Sequence, residues 1–126
     1  MSAVNYELDG GVAILTLNRP ESLNAVNPDM VAGLLAASAL AADDPVARAV
    51  VVRGAGKSFM AGGDLRWFRE QLALPVAQRQ SGFAELIAGV HAAIVNFKRM
   101  DKPLIAAVHG AVAGFGRLVS RAGSSR

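Results

Sequence analysis

The chain has no cysteine, so disulfides and thiolate chemistry are excluded, and two histidines leave little for a metal site. Charged residues make up only 18% of the 126 positions against 52% hydrophobic, a balance that excludes a disordered chain. Neither a heptad pattern nor a glycine-every-third pattern is present, which excludes coiled coil and collagen. No apolar run approaches the roughly 18–20 residues a membrane-spanning helix needs, and much of the apolarity is alanine. Met1–Tyr6 has neither a basic stretch nor an apolar one, so no secretory signal is visible. The expectation is a soluble, cytoplasmic protein with no membrane partner, forming one compact domain or part of a larger one.

A net charge of +3 suggests a taste for anions, but its distribution says otherwise. Ten basic residues balance ten acidic ones before residue 117, and the excess is Arg117, Arg121 and Arg126. A nucleic-acid binder would cluster Lys and Arg on one element among aromatics. The body of the chain does not, so no nucleic-acid partner is expected.

The order of elements reads β-β-α-β-α-α-β-loop, an α/β arrangement with helical crossovers. Val4–Leu8 and Val12–Leu17 are β-rich runs around Asp9-Gly10-Gly11, a hairpin signature. Asn27-Pro28-Asp29 is a strong helix start, and that helix should stop at Asp43-Asp44-Pro45. Ala49–Val52 reads as a strand covered on both faces. Asp64 could cap a helix carrying Leu65, Phe68 and Leu72. A longer helix is expected over about Gln80–Lys98, its core stripe formed by Phe83, Ile87, Val90, Ile94 and Phe97. Leu104–Val108 is a further strand, expected to be buried.

Two glycine-rich stretches follow strands and lead toward helices: Phe59–Leu65 and His109–Gly116. Neither is a nucleotide motif. A phosphate loop through Gly56-Lys57-Ser58 would need glycine where Val51 stands, and the spacing of Gly110, Gly114 and Gly116 is not the dinucleotide fingerprint. Two alternatives stay open on composition. The stretches can be plain turns, or their backbone N–H groups can converge on one oxygen as an oxyanion hole.

Four groups of residues in register carry a resemblance. They are Thr16-Leu17-Asn18-Arg19-Pro20 with Leu23-Asn24-Ala25; Ala49–Arg53 with Gly54-Ala55-Gly56-Lys57-Ser58-Phe59; Ala61-Gly62-Gly63-Asp64-Leu65; and Lys102-Pro103-Leu104-Ile105-Ala106-Ala107-Val108-His109-Gly110. Together they resemble the crotonase superfamily, the enoyl-CoA hydratase/isomerase family, over about residues 5–116. The resemblance implies a truncated N-terminal part of a ββα spiral, with acyl-CoA thioester as substrate, no separate cofactor and no metal. It implies a homo-oligomer, a trimer or a pair of trimers. The two oxyanion donors would be the backbone N–H groups of Gly63 and Phe115. Leu23, Ala25, Ala61, Gly62, Asp64, Leu65 and Gly114 would line the substrate site, with Asp64 fixing the loop as well as capping a helix. His109 is expected to make a structural hydrogen bond rather than move a proton. His91 reads as a packing or surface residue, and Trp67 stands either at the pocket mouth or in the core.

The departures are as informative. Hydrating an enoyl thioester takes two carboxylates, one to activate water and one to deliver a proton. At the family's first acid position stands Leu118, and the second would fall beyond Arg126; Glu70 and Glu85 match neither. Residues 1–116 are therefore read as family-like and 117–126 as an atypical tail, through truncation, a frameshift, or a natural half that folds by pairing. The alternative to an enzyme is an inactive CoA-binding or assembly fragment.

Overall fold

The computed structural model describes residues 3–110. The expectations placed on Gly114, Phe115, Leu118 and the tail lie outside them. Strands β1 (Val4–Asp9) and β2 (Val12–Leu17) form the expected antiparallel hairpin, Val4 opposite Leu17 and Asp9 opposite Val12. Its two-residue turn needs left-handed backbone twice, and Gly10 and Gly11 supply it at φ +58° and +85°. Helix α1 (Pro28–Asp43) crosses to β3 (Ala49–Gly54), and helices α2 (Leu65–Leu72) and α3 (Val76–Arg99) lead to β4 (Leu104–Ala107). Sheet order follows chain order, β1-β2-β3-β4, the last two junctions parallel. This is the mixed α/β architecture expected.

α1 begins where the sequence placed it. The Asn27 side chain accepts the Met30 N–H at 2.9 Å, and Pro28 occupies a position whose N–H has no use in a helix. Met30, Leu34, Ala37 and Ala41 recur with the helical period and are all buried. They lie in one core with Leu15, Leu17, Val50, Val52, Phe97 and Leu104. At the other end of α1, Lys102 donates through Nζ to the Ala41 and Asp44 carbonyls at 2.5 and 2.8 Å. A cation at the negative end of the helix satisfies carbonyls that have no partner inside it.

Two expectations need correcting. α3 starts at Val76, four residues early, because the chain carries no breaker after Pro75 and the Pro75 carbonyl accepts the Gln78 and Arg79 N–H groups. Its buried line is Leu86, Ala93 and Phe97, while Ile87 is 65% exposed. Of the expected stripe, Phe97 is buried, Val90 and Ile94 pack partly buried against the core and Phe83 is half-buried, so Ile87 is the member that falls off it. β3, expected to be covered on both faces, alternates: Val50 and Val52 are buried, Ala49 and Val51 half-buried. The reason is that α1 and α3 pack together on one side. Among the described residues, the registered row Ile14–Val51–Ile105 on the other side has no layer over it.

Asp44 is a joint between α1 and β1. Its Oδ1 accepts the Val46 N–H and its Oδ2 accepts the Tyr6 hydroxyl, each at 2.9 Å. The Val46 N–H first, then the Tyr6 hydroxyl, hold the Asp44 carboxyl below its usual value. Burial, the hydrogen bond to Asp44 and that residue's charge push the Tyr6 phenol up from 10.0 to about 12. A raised phenol stabilises the fold in full below pH 10 and loses that contribution as pH climbs toward 12. The chain has one tyrosine, so tyrosinate absorbance reads this group alone. Tyrosinate should form only as pH approaches about 12, and Asp44→Ala should bring it earlier.

Candidate functional site

Between β2 and α1 the chain makes one 3₁₀ turn at Pro20–Ser22 and then does something costly. Leu23 and Asn24 both adopt left-handed backbone, φ 54° and 56°. Asparagine tolerates that region and leucine resists it, so the surroundings must over-determine the bend. They do so through Asn24, whose side chain is wholly buried. Its Oδ1 accepts the Arg19 N–H at 2.8 Å, and its Nδ2 donates to the Ala55 and Ser58 carbonyls, both at 2.9 Å. The amide thus ties this turn to the loop after β3.

That loop brings the second wall. Val26 and Gly63 form an isolated parallel bridge: the Val26 N–H donates to the Gly62 carbonyl at 2.7 Å, and the Asp64 N–H to the Val26 carbonyl at 2.9 Å. In a parallel bridge the central residue's own N–H and C=O point away from its partner. The Gly63 N–H is therefore directed outward, and among the described residues it has no acceptor. Gly63 is also exposed and crowded on its inner side. A Cβ there would stand 2.4 Å from Phe68 Cζ, closer than any side chain tolerates.

Asp64 caps α2 as expected, its Oδ1 accepting the Arg66 and Trp67 N–H groups at 2.9 and 3.2 Å. It also accepts, through Oδ2, a hydrogen bond from Arg19 Nη2 at 2.9 Å, an ion pair whose side chains are 18% and 11% exposed. Burial pushes the Asp64 carboxyl up, but the Arg19 hydrogen bond and charge, with the Trp67 and Arg66 N–H groups, outweigh it. The net effect holds Asp64 below its usual value. Both oxygens are committed, so this acid is an ionised strut at neutral pH.

An open pocket of about 330 Å³ lies between the two walls, lined by Glu21, Ser22, Leu23, Ala25, Ala61, Gly63, Asp64, Leu65 and Arg66. Of the expected site residues among those described, six line it; Gly62 is buried behind it as the acceptor for Val26. Gly114 and Phe115 lie outside the described residues. His109 Nε2 is 2.8 Å from the Gly56 carbonyl, the structural hydrogen bond expected. His91, Glu70 and Glu85 are exposed. Trp67 is half-buried and makes edge contacts with Phe68 and Phe83, centroids 5.8 and 5.4 Å away. It stands on the rim of an apolar groove between α1 and α3. Among the described residues, no three His, Asp or Glu side chains gather as a metal site, and no helix is long and apolar enough to cross a membrane.

Sequence reasoning quoted Arg19 and Asn24 without giving either a role. Their partners on the other loop, Ala55, Ser58 and Asp64, lie 31 to 45 residues away, beyond any local pattern. Asn24→Ala removes three hydrogen bonds, to the Arg19 N–H and to the Ala55 and Ser58 carbonyls, and should cost on the order of 3 kcal/mol, measurable by urea unfolding. For Asp64 the sign is that of a depressed acid: its contribution is full above the ordinary carboxylate value and lost as pH falls through the lowered one. Asp64→Asn keeps a capping oxygen, so its unfolding free energy should be lower at neutral pH and flatter than wild type below about pH 4.

Comparison with known proteins agrees with this geometry. The enoyl-CoA hydratase/isomerase family model matches residues 12–126. The trans-2-decenoyl-(acyl-carrier-protein) isomerase of Streptococcus mutans is 36% identical over 99 residues, 79% of this chain and 36% of that protein. A solved structure from Pseudomonas aeruginosa superposes with a TM-score of 0.89 at 31% identity, over 97% of this chain and 50% of that one. An enoyl-CoA hydratase/isomerase structure from Xanthobacter autotrophicus gives 0.84 at 35% identity, over 96% and 44%. The chain thus spans half or less of the length of each of these proteins. With the family match running over nearly its whole length, and the fold of solved crotonases covering it, the chain belongs to the enoyl-CoA hydratase/isomerase family of the crotonase superfamily.

Proposed function

We propose that the pocket between Leu23–Ala25 and Ala61–Leu65 takes an acyl-CoA thioester, with the Gly63 N–H as one donor to the thioester oxygen. The observation that carries this is the outward Gly63 N–H, without an acceptor among the described residues, in the lining of an accessible pocket. An oxyanion donor must be fixed before the charge develops, and the bridge to Val26 and the capped helix behind Asp64 hold it from both sides. Phe115 would supply the second donor, on the family resemblance. A backbone donor is indifferent to its side chain, so phenylalanine is admissible there. The same reading carries a cytoplasmic protein that needs no separate cofactor and assembles as the family's trimer or pair of trimers.

Binding and turnover separate at this site. Asp64 lines the pocket but is locked as an ionised cap and ion-pair partner, so it has no proton to give near neutrality. Glu70 and Glu85 lie off the pocket. With Leu118 at the family's first acid position, the 126-residue chain is proposed to bind a thioester and polarise its carbonyl without hydrating the double bond. This favours the second reading of the sequence, a CoA-binding or assembly module, for this chain taken by itself.

Equilibrium titration with crotonyl-CoA should show saturable binding, and loss of the enoyl absorbance should stay near the uncatalysed rate. Turnover near that of a competent hydratase overturns the acid–base part of the reading; no binding overturns the whole. Gly63→Ala should weaken binding by roughly tenfold or more by driving a methyl group into the Phe68 ring and turning the donor. Adding Phe68→Ala to that variant relieves the clash and should recover binding, since alanine keeps the backbone N–H.

A further inference from the structure

We propose that Arg19 is a positioning residue: by gripping both walls of the pocket at once, it sets their separation and hence the aim of the Gly63 N–H. Arg19 does not itself line the pocket. Its Nη1 donates to the Ala25 carbonyl at 2.6 Å on one wall, and its Nη2 to Asp64 Oδ2 at 2.9 Å on the other. A longer bond, 3.4 Å to Ser22 Oγ, comes from the same Nη2. The backbone of Arg19 is pinned as well, its N–H on Asn24 Oδ1 and its carbonyl accepting the Asn24 N–H at 2.9 Å. The base of the fork is therefore fixed, and its prongs reach the two residues adjoining the Val26–Gly63 bridge. Ala25 precedes Val26 and Asp64 follows Gly63, so the guanidinium closes a ring around that bridge.

Only a rigid planar donor does this. Guanidinium nitrogens hold a constant spacing, whereas an ammonium is a single point that can sit on one partner or share itself poorly between two. The pair is also mostly withdrawn from water, so a vacated partner stays behind as an uncompensated charge. Asp64 Oδ1 is already filled by the two N–H groups of the helix cap, leaving Oδ2 free to face Arg19.

A merely structural ion pair would lower stability everywhere alike, and native-state hydrogen exchange on the 126-residue chain separates the two cases. The reporters are the Val26 and Asp64 amides, which form the bridge, against the amides of the β2–β3 ladder. In Arg19→Gln, protection at Val26 and Asp64 should fall roughly tenfold or more beyond any change in the ladder, the loss expected of one charge-assisted bond. Arg19→Lys should do the same to a smaller degree, and it serves, with Asp64→Asn, if the Gln variant does not fold. Equal loss at all amides, or unchanged protection at the bridge, overturns the proposal.

The second arm rests on the thioester reading of the pocket and uses butyryl-CoA as probe. Calorimetric titration of Arg19→Lys should show roughly tenfold weaker binding at an unaltered denaturation midpoint. Unchanged affinity in that variant overturns the positioning role. If wild-type protein takes up no butyryl-CoA, the thioester reading fails, while the exchange comparison still decides what Arg19 does.

Discussion

The site hangs on two backbone hydrogen bonds, those of the Val26–Gly63 bridge. Everything that lines the pocket belongs either to the turn that ends at Val26 or to the loop and helix start at Ala61–Arg66, and the bridge, with one further backbone bond from the Ala61 N–H to the Leu23 carbonyl at 3.1 Å, joins the two. Two bonds between loops cannot resist fraying by themselves, since each is worth about 1 kcal/mol in water. What makes them persist is the polar frame behind them: Asn24 fastened to Ala55 and Ser58, Asp64 fastened to α2, and Arg19 fastened to both sides. Every member is satisfied, and among the described residues no buried side-chain polar atom is without a partner. Such a frame is costly when half-made and rigid when complete.

The pocket is lined by Leu23, Ala25, Ala61, Gly63 and Leu65 together with Glu21, Ser22, Asp64 and Arg66, while the amide of Asn24 and the guanidinium of Arg19 stand behind that lining, where they hold its walls. A site of this kind keeps its shape through many exchanges of the residues that line it. It loses the shape at once if a strut is removed. The apolar core on the α1–α3 side supplies the platform, because it fixes where β2 and β3 end and so where both loops begin.

What could be read from the chain beforehand divides along the same line. Interactions between near neighbours were legible: the Asn27 and Asp64 caps, the Gly10-Gly11 turn and the end of α1 all follow from residues within four positions of one another. The strand and helix order was legible because its periods differ. The walls of the pocket came from resemblance, and the structure brings Leu23, Ala25, Ala61, Gly63, Asp64 and Leu65 together. The struts were not legible. Arg19 and Asp64 are 45 residues apart, and a polar residue in a loop looks solvated until the fold buries it. The buried line of α3 was legible in part, through Val90, Ile94 and Phe97, and incomplete for a related reason. Hydrophobic bulk marks a helix face, but contact geometry decides which of two adjacent lines lies innermost, and here Ala93 won over Ile87.

The aromatic cluster has a consequence of a different sort. Trp67 is the chain's single tryptophan, and it meets Phe68 and Phe83 edge-on at the junction of α2 with α3. Phe68 in turn lies against Gly63. The one strong fluorophore is thus wired to the pocket floor through a single ring. Any rotation of that ring alters the packing around the indole and the polarity it experiences. The molecule therefore carries its own optical gauge of the pocket, read as a change in emission colour with no label attached.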